Sequence, residues 1–552
     1  MKTAERIGLT LTASCLLSVS LLSSIPTPTR AESAVEAWVQ RYHEPGNGAI
    51  ARAMVVDGSN NVIVTGFAGD LAVPPPSQSR NGSNNVSVTG DSAIPNDSPD
   101  YGNYVTIKYS SAGVPIWTNR YDGPANDDEA KAVAVDGNND VIVTGTSLGS
   151  GNNDDYVTIK YSSAGVPIWT NRYDGSGNGN ELAYAVAVDG NNDVIVTGYS
   201  WGSGNHDYAT IKYSSAGVPL WTNRYNGPAN GTDMATAVAV DGDNNVIVTG
   251  MSADVGGHFD YATIKYSSGG WPLWINRYNG PGNGDDDACA VAVDGNNNVI
   301  VTGNSSGSYA TIKYWSGGYP LWTNRYDGPA NDNEAYAVAV DGNNNVIVTG
   351  SSASTNVYPY NRDYATIKYS SAGTPLWTNR YDGPLNISDE AVAVAVDGNY
   401  NVVVTGYSTS QDYPIPYNKD YVTIKYSGAG VPLWTNRYNG PGNSEDTVAA
   451  VVVDQSGYVI VTGGSVGSEG YYDIATIKYA YTPMFSDCKL TNGPFQIWLE
   501  NLTSPGTVVI EASTNLVGWS PVITNTAPTN VLFYTDQETS NHLCRFYRAS
   551  KQ

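Results

Sequence analysis

Ala130–Tyr173 reads AKAVAVDGNNDVIVTGTSLGSGNNDDYVTIKYSSAGVPIWTNRY. It holds four short segments rich in Val, Ile, Thr, Tyr and Trp: Ala130–Asp136, Val141–Gly145, Tyr156–Tyr161 and Ile168–Tyr173. Asp136-Gly137-Asn138-Asn139, then Gly149–Asp155, then Ser162-Ser163-Ala164-Gly165 separate them, and all three are turn-forming in composition. No stretch has helical periodicity, so the unit predicts four antiparallel strands. Within the first strand Ala130, Ala132 and Ala134 point one way, and Val133 and Val135 the other. Both faces are apolar, which requires a sheet covered on both sides.

The unit recurs along the chain. The lysine of its Thr-Ile-Lys-Tyr motif falls at Lys108, Lys160, Lys212, Lys265, Lys313, Lys368, Lys425 and Lys478, at spacings of 48 to 57 residues. A four-stranded unit of this period is one blade of a β-propeller, with neighbouring blades covering each other's faces. The AVAVD strand, smallest in side-chain volume, is expected innermost and the Trp strand outermost. The chain begins its repeats with a lone Trp strand, Ala37–Tyr42, and ends them after Thr476–Tyr479 without one. The N-terminal strand is therefore expected to complete the last blade and close an eight-bladed ring. The fold class predicted is all-β: an eight-bladed propeller followed by a small C-terminal β-sandwich-like module.

The run Ala-Val-Ala-Val-Asp-Gly-Asn-Asn-Asp-Val-Ile-Val-Thr-Gly (132–145), with Thr-Ile-Lys-Tyr and Trp after it, resembles the bacterial β-propeller repeat family of secreted and cell-surface proteins. The strand order is similar to that of NHL-repeat propellers. The resemblance implies fold and location, and brings no shared catalytic residues. The last 70 or so residues lack the Trp-Asn-Arg-Tyr motif. Their Glu511-Ala512-Ser513-Thr514-Asn515-Leu516, Trp519 and Arg545-Phe546-Tyr547-Arg548-Ala549 resemble a C-terminal module of exported proteins of Verrucomicrobia type.

Residues 1–31 read as an export signal, with Lys2 and Arg6, an apolar Ile7–Ile25 and Thr29-Arg30-Ala31. The expected organisation is signal 1–31, propeller 32–482 and C-terminal β module 483–552. A secreted or cell-surface location follows, with no transmembrane segment after signal removal and a monomer expected. The formal charge of −24 argues against nucleic acid as a partner. Cys488 and Cys544 lie near the two ends of the C-terminal module and suit a disulfide in an oxidising compartment. Cys289 sits at a variable first-strand position.

The charged residues repeated in every unit, such as Asp136, Lys160 and Arg172, are expected to shape turns and pair between strands rather than to catalyse. Variation gathers in the loops of one face. There, aromatic residues lie beside Asp and Asn: Trp201, His206, His258, Phe259, Tyr358, Tyr360, Tyr413 and Tyr417. Flat rings beside forked hydrogen-bonding groups suit a carbohydrate, so a non-enzymatic binding or scaffold protein is the leading reading, its partner a carbohydrate or a cell-envelope protein. Clustered carboxylates at Asp127, Asp128 and Glu129, and at Asp285, Asp286 and Asp287, make calcium the candidate cofactor. The alternatives are a purely structural surface protein and a polysaccharide-active enzyme, a hydrolase or lyase using carboxylates from different blades. The chain has 4 histidines, without metal-ligand spacing, and no nucleophile elbow. The sequence singles out no catalytic residue.

Overall fold

The computed structural model describes residues 11–12, 34–44, 48–69, 102–481 (less 126, 150, 152, 177–178, 203, 356–360 and 411–417), 484–490, 495–500, 508–514, 520–525, 532–536 and 546–551. Among them there is no helix. Contacts divide the chain into two compact units, Trp38–Lys478 and a second built from Met1–Ala37 with Tyr479–Gln552.

The first unit is an eight-bladed β-propeller. Blade 2 is typical, with strands Asp128–Val135, Val141–Leu148, Asp154–Tyr161 and Pro167–Tyr173 hydrogen-bonded in that order. The first strand of each blade touches the first strands of both neighbours, so these eight strands form the inner ring. The Trp strand lies outermost and is half exposed. In blade 8 the outer strand is the N-terminal Ala34–Tyr42, which pairs with Tyr472–Tyr481. Closure is then secured from blade 8 to blade 1: Trp38 Nε1 and Lys478 Nζ both donate to Ser111 O, at 3.2 Å each.

Packing between blades follows the alternation seen in the sequence from Ala132 onward, whereas Ala130, expected on the face of Ala132 and Ala134, packs with Val133 on the other. Ala132, Ala134, Ile142 and Tyr156 of blade 2 bury against Val186, Val194, Val196, Ile211 and Tyr213 of blade 3. The small face of one blade receives the branched face of the next. The Tyr156 hydroxyl crosses the seam to donate to Ala209 O at 3.1 Å, and Trp169 lies against Tyr213. The next turn must let the indole in: Gly165, at φ 83°, faces Trp117, whose ring a Cβ would meet at 2.7 Å.

The repeated Asp and Lys form an ion pair in every blade, with N···O distances of 2.7–2.9 Å and nearly complete burial. In blade 2, Asp136 Oδ1 also accepts the amides of Asn138 and Asp140, which fixes the turn. Lys160 Nζ reaches Ser215 O of blade 3. One aspartate thus shapes the lower turn and anchors a lysine that ties two blades together.

Each first strand also carries a β-bulge that the sequence reading did not foresee. Pairing with the second strand shifts by one residue between Ala130 and Ala132, and likewise in the other seven blades. The bulge explains the glycine ending Val-Ile-Val-Thr-Gly: a Cβ on Gly145 would lie 2.0 Å from Glu129 O. The extra residue is the variable first-strand position: Arg52, Lys131, Tyr184, Thr236, Cys289, Tyr336, Val392 or Ala449.

The second unit holds two antiparallel sheets. One orders Leu11–Thr12, Phe546–Lys551, Val508–Ser513 and Ser520–Asn525; the other Met484–Leu490, Phe495–Glu500 and Leu532–Asp536. The sequence reads Phe495–Glu500, Thr507–Ala512, Val522–Thr524, Val531–Tyr534 and Arg545–Arg548 as strands; five strands of the structure match them, and Met484–Leu490 is an addition. Leu11–Thr12, within the stretch read as an export signal, pairs with Phe546 and Tyr547. The Cys488–Cys544 pairing lies outside the described residues.

Candidate binding face

Antiparallel strands put the Asp-Gly and Ser-Ser-Ala-Gly turns on the lower face, and the entering loops and second-to-third-strand loops on the upper face. The upper rim is where the blades differ. In blade 3 the second and third strands pair Trp201 with His206 and Tyr199 with Tyr208. Ring contacts run from Tyr184 to Tyr199 (5.7 Å), from Tyr199 to His206 (4.6 Å) and from His206 to Trp201 (4.8 Å, edge to face). Burial holds the His206 imidazole below its usual pKa against the pull of Asp207. Trp201, His206 and Tyr199 remain half exposed.

The other aromatic candidates are placed differently. His258 is exposed and Phe259 half-buried in blade 4, where Asp285 Oδ1 accepts the Phe259 amide at 3.1 Å and lies 3.5 Å from His258 Nδ1. Tyr358, Tyr360, Tyr413 and Tyr417 lie outside the described residues. The sequence reading missed Tyr184 and Tyr199, which sit inside strand segments that look structural. The signal was available in comparing units: Tyr199 follows the Val-Thr-Gly of its unit where blade 2 has Thr146.

The carboxylate triplets are split by strand alternation. Asp128 is buried and accepts the Gly123 amide at 2.6 Å, whereas Glu129 points to Arg52 Nε at 2.6 Å and Lys131 Nζ at 2.5 Å. Asp127 leaves its carbonyl to the Leu148 amide. Against the opposing cost of burial, Arg52 and Lys131 pull the Glu129 carboxyl down to about 2. The charges of Arg52 and Lys131 are therefore partly offset by the one carboxylate they share. In blade 5, Asp285 is exposed, and Asp286 is fully buried and accepts the Gly280 amide at 2.6 Å. Burial, then Asp285, Asp286 and Glu334, push Asp287 up to about 6. Cys289 forms no disulfide.

Arg172 and its equivalents hold the upper ends of the blades. Arg172 binds Asp155 Oδ2 at 2.5 Å together with Ser147; Arg224, Arg277, Arg380 and Arg437 repeat this with Asp207, Asp260, Asp363 and Asp420. These are structural pairs in repeated positions, as the sequence suggests.

A further surface feature lies on the outer edge of blades 4 and 5. Trp271 (77% exposed) and Tyr319 (73%) stand where other blades carry Val or Thr, and Leu273, Ile275, Trp315 and Leu321 are also exposed. Trp315 stacks on Tyr319 at 6.3 Å and 19°.

No protein-family profile matches the chain. A curated relative, the uncharacterized WD repeat-containing protein L264 of Acanthamoeba polyphaga mimivirus, is 24% identical over 457 residues. The match covers 74% of this chain and 29% of the relative, so the chain spans less than a third of the protein it matches. The fold is that of a repeat β-propeller. Solved structures similar to it include PorZ, a surface component of the type-IX secretion system of Porphyromonas gingivalis (TM-score 0.40, 12% identity, 89% of this chain and 71% of that one). Another is the polysaccharide lyase Uly1 (TM-score 0.38, 11% identity, 65% of this chain and 91% of that one).

Proposed function

We propose that this chain is an exported, non-enzymatic binding and scaffold protein whose upper propeller face takes a carbohydrate at blade 3. The observation that carries the reading is the Tyr199–His206–Trp201 cluster, three half-exposed rings held together on the rim of blade 3. Rings of this kind offer a flat apolar surface to a pyranose face. The export reading rests on residues 1–31, and the non-enzymatic reading on a sequence that singles out no catalytic residue.

The test is a glycan array with the purified chain, followed by calorimetry on any hit with wild type and Trp201→Ala. Loss of binding in Trp201→Ala, with the circular dichroism spectrum unchanged, supports blade 3 as the site. Release of reducing ends from a polysaccharide panel would replace this reading with the enzymatic one. The apolar rim of blades 4 and 5 favours a second reading, a surface for a protein partner. Under it, Trp271→Ser with Tyr319→Ser abolishes partner capture and leaves glycan binding intact.

A further inference from the structure

Where two blades meet on the upper face, a carboxylate from each comes close to its neighbour. Between blades 6 and 7 these are Asp363, on the third strand of blade 6, and Asp389, at the start of blade 7, joined by Asp382 from the loop between the blades. The three offer oxygen atoms that all lie within 4.8 Å of one another. Asp389 is 0% exposed and Asp363 4% exposed, and Oδ1 of each has no hydrogen-bond partner. Such orphaned carboxylate oxygens are costly in a protein interior and call for a counter-charge. Between blades 2 and 3 the arrangement recurs with Asp155, Asp174 and Glu181, and Oε2 of the fully buried Glu181 is the orphan.

The charge count is specific. Arg380 binds Asp363 Oδ2 at 2.6 Å and Arg172 binds Asp155 Oδ2 at 2.5 Å, so each set of three carboxylates is matched by one guanidinium. The junctions after blades 3, 4 and 7 carry Asn226, Asn279 and Asn439 at the loop position and hold one charge fewer.

Two other junctions show what happens without the second carboxylate. Between blades 5 and 6, Asn333 stands opposite Ser352 as Asp389 stands opposite Ser408, and Ser308 replaces the third-strand aspartate. Its Nδ2 donates to the carbonyls of Gly307 (2.9 Å), Asp327 (2.8 Å) and Ala330 (2.7 Å). An amide N–H group there sits in a nest of oxygen acceptors. At the ring closure Ala49 takes the first-strand position, and the His43 ring fills Asp473 Oδ1 at 2.8 Å. Among the described residues, Oδ1 of Asp128, Asp207, Asp233, Asp260, Asp286 and Asp446 at other junctions also lacks a hydrogen-bond partner, so the third carboxylate is what sets these two clusters apart.

We infer that the Asp363–Asp382–Asp389 and Asp155–Asp174–Glu181 clusters are two structural calcium sites that clamp adjacent blades on the upper face. The donors are all oxygen, as a hard cation requires, and their spread suits Ca–O distances of about 2.3–2.6 Å in flexible geometry. The inference is independent of the carbohydrate reading.

The test is equilibrium dialysis of the full chain, stripped with chelator at pH 7.5, against radioactive calcium, with magnesium in a parallel arm. Two calcium ions per chain are expected, with dissociation constants on the order of 0.1–1 mM, the range of extracellular modules. Asp389→Asn should bind one, and so should Glu181→Gln. The asparagine variant introduces the residue that Asn333 already supplies at the same blade position, so it is expected to fold, and its circular dichroism spectrum checks this. Fewer than one ion bound by folded wild type, or unchanged stoichiometry in both variants, would overturn the inference. Equal binding of magnesium would overturn the assignment to calcium.

Discussion

Lys265→Met in blade 4 tests the repeated ion pair where the structure defines it most fully. Lys265 Nζ lies 2.7 Å from Asp241 Oδ2, with side-chain exposures of 3% and 0%, and it also donates to Ser316 O of blade 5 at 3.0 Å. Methionine keeps the stem and removes the ammonium. It leaves Asp241 ionised in the interior and strips a donor from a carbonyl across the seam. Losing one partner of a buried pair costs about 3–5 kcal/mol. The lower half of that range is expected here, because Asp241 keeps three donors: the amides of Asp243 and Asn245, and Asn245 Nδ2, each at 2.9 Å. Asp241→Asn/Lys265→Met removes the stranded charge while retaining an acceptor for the turn amides, and should be less damaged than the sum of the two single changes by about 2 kcal/mol. Urea denaturation followed by tryptophan fluorescence reads both quantities.

The same pair has a signature in pH. Burial works to raise the Asp241 carboxyl, but Lys265 and the Asn245 groups outweigh it and hold the group below its ordinary value. Its contribution is therefore fully present above the unfolded carboxylate value, near 4, and is lost as pH falls through the lower folded value. The gap between wild type and Lys265→Met should close only on acidification below about pH 4. A single mutant within 1 kcal/mol of wild type, additive double-mutant energies, or a gap unchanged down to pH 3 would refute the reasoning.

Three further outcomes follow from the blade geometry. Gly250→Ala places a Cβ 2.1 Å from Met234 O, so the blade 4 bulge must shift; a loss of about 3 kcal/mol is expected by denaturant titration. Tyr400 holds φ 64° where six other blades place asparagine at φ 61–63°, and Asn344 there accepts the Gly295 amide at 2.8 Å. Tyr400→Asn should therefore stabilise by about 1 kcal/mol, measured as a raised thermal midpoint. Burial first, then Asp420, pushes the Asp446 carboxyl up to about 7, although Ser465 and the Gly440 amide pull it down. A raised folded value means stability that is full below about pH 4 and lost as pH rises through about 7. Asp446→Asn should remove this part of the pH dependence, and exceed wild type in thermal midpoint at pH 8 in EDTA.

The architecture was legible because it depends on local, repeated signals. Strand alternation, turn residues and an unpaired Trp strand at the N-terminus lead to eight blades and their closure, and Asp136 with Lys160 reads correctly as scaffold. What the sequence hid is what depends on pairing between distant residues. The bulge adds a residue without changing the look of Ala-Lys-Ala-Val-Ala-Val, and only the obligatory Gly145 opposite betrays it. The acidic triplets look like ligand sets because their members are adjacent, yet in a strand adjacency sends Asp286 and Asp287 to different surroundings. Asp363 and Asp389 are 26 positions apart and belong to different blades, so their approach appears only once the ring is assembled.

The bulge also accounts for where this protein can vary. Each blade must reproduce the Thr–Thr contact, the Asp–Lys pair and the tyrosine bridge to its neighbour, or the seam on both sides suffers. Residues 104–123 and 156–175 are accordingly identical at every position. The bulge residue escapes this demand because the register shift passes over it in the pairing of the first and second strands. It can be Arg52, Tyr184, Cys289 or Val392 without cost to the blade beneath. The residues around it on the upper rim share that freedom, and Tyr199, Trp201 and His206 are what blade 3 has made of it. Recognition in such a ring is expected at the upper ends of the strands, above the last seam contact, while the rest of every blade is constrained by its neighbours.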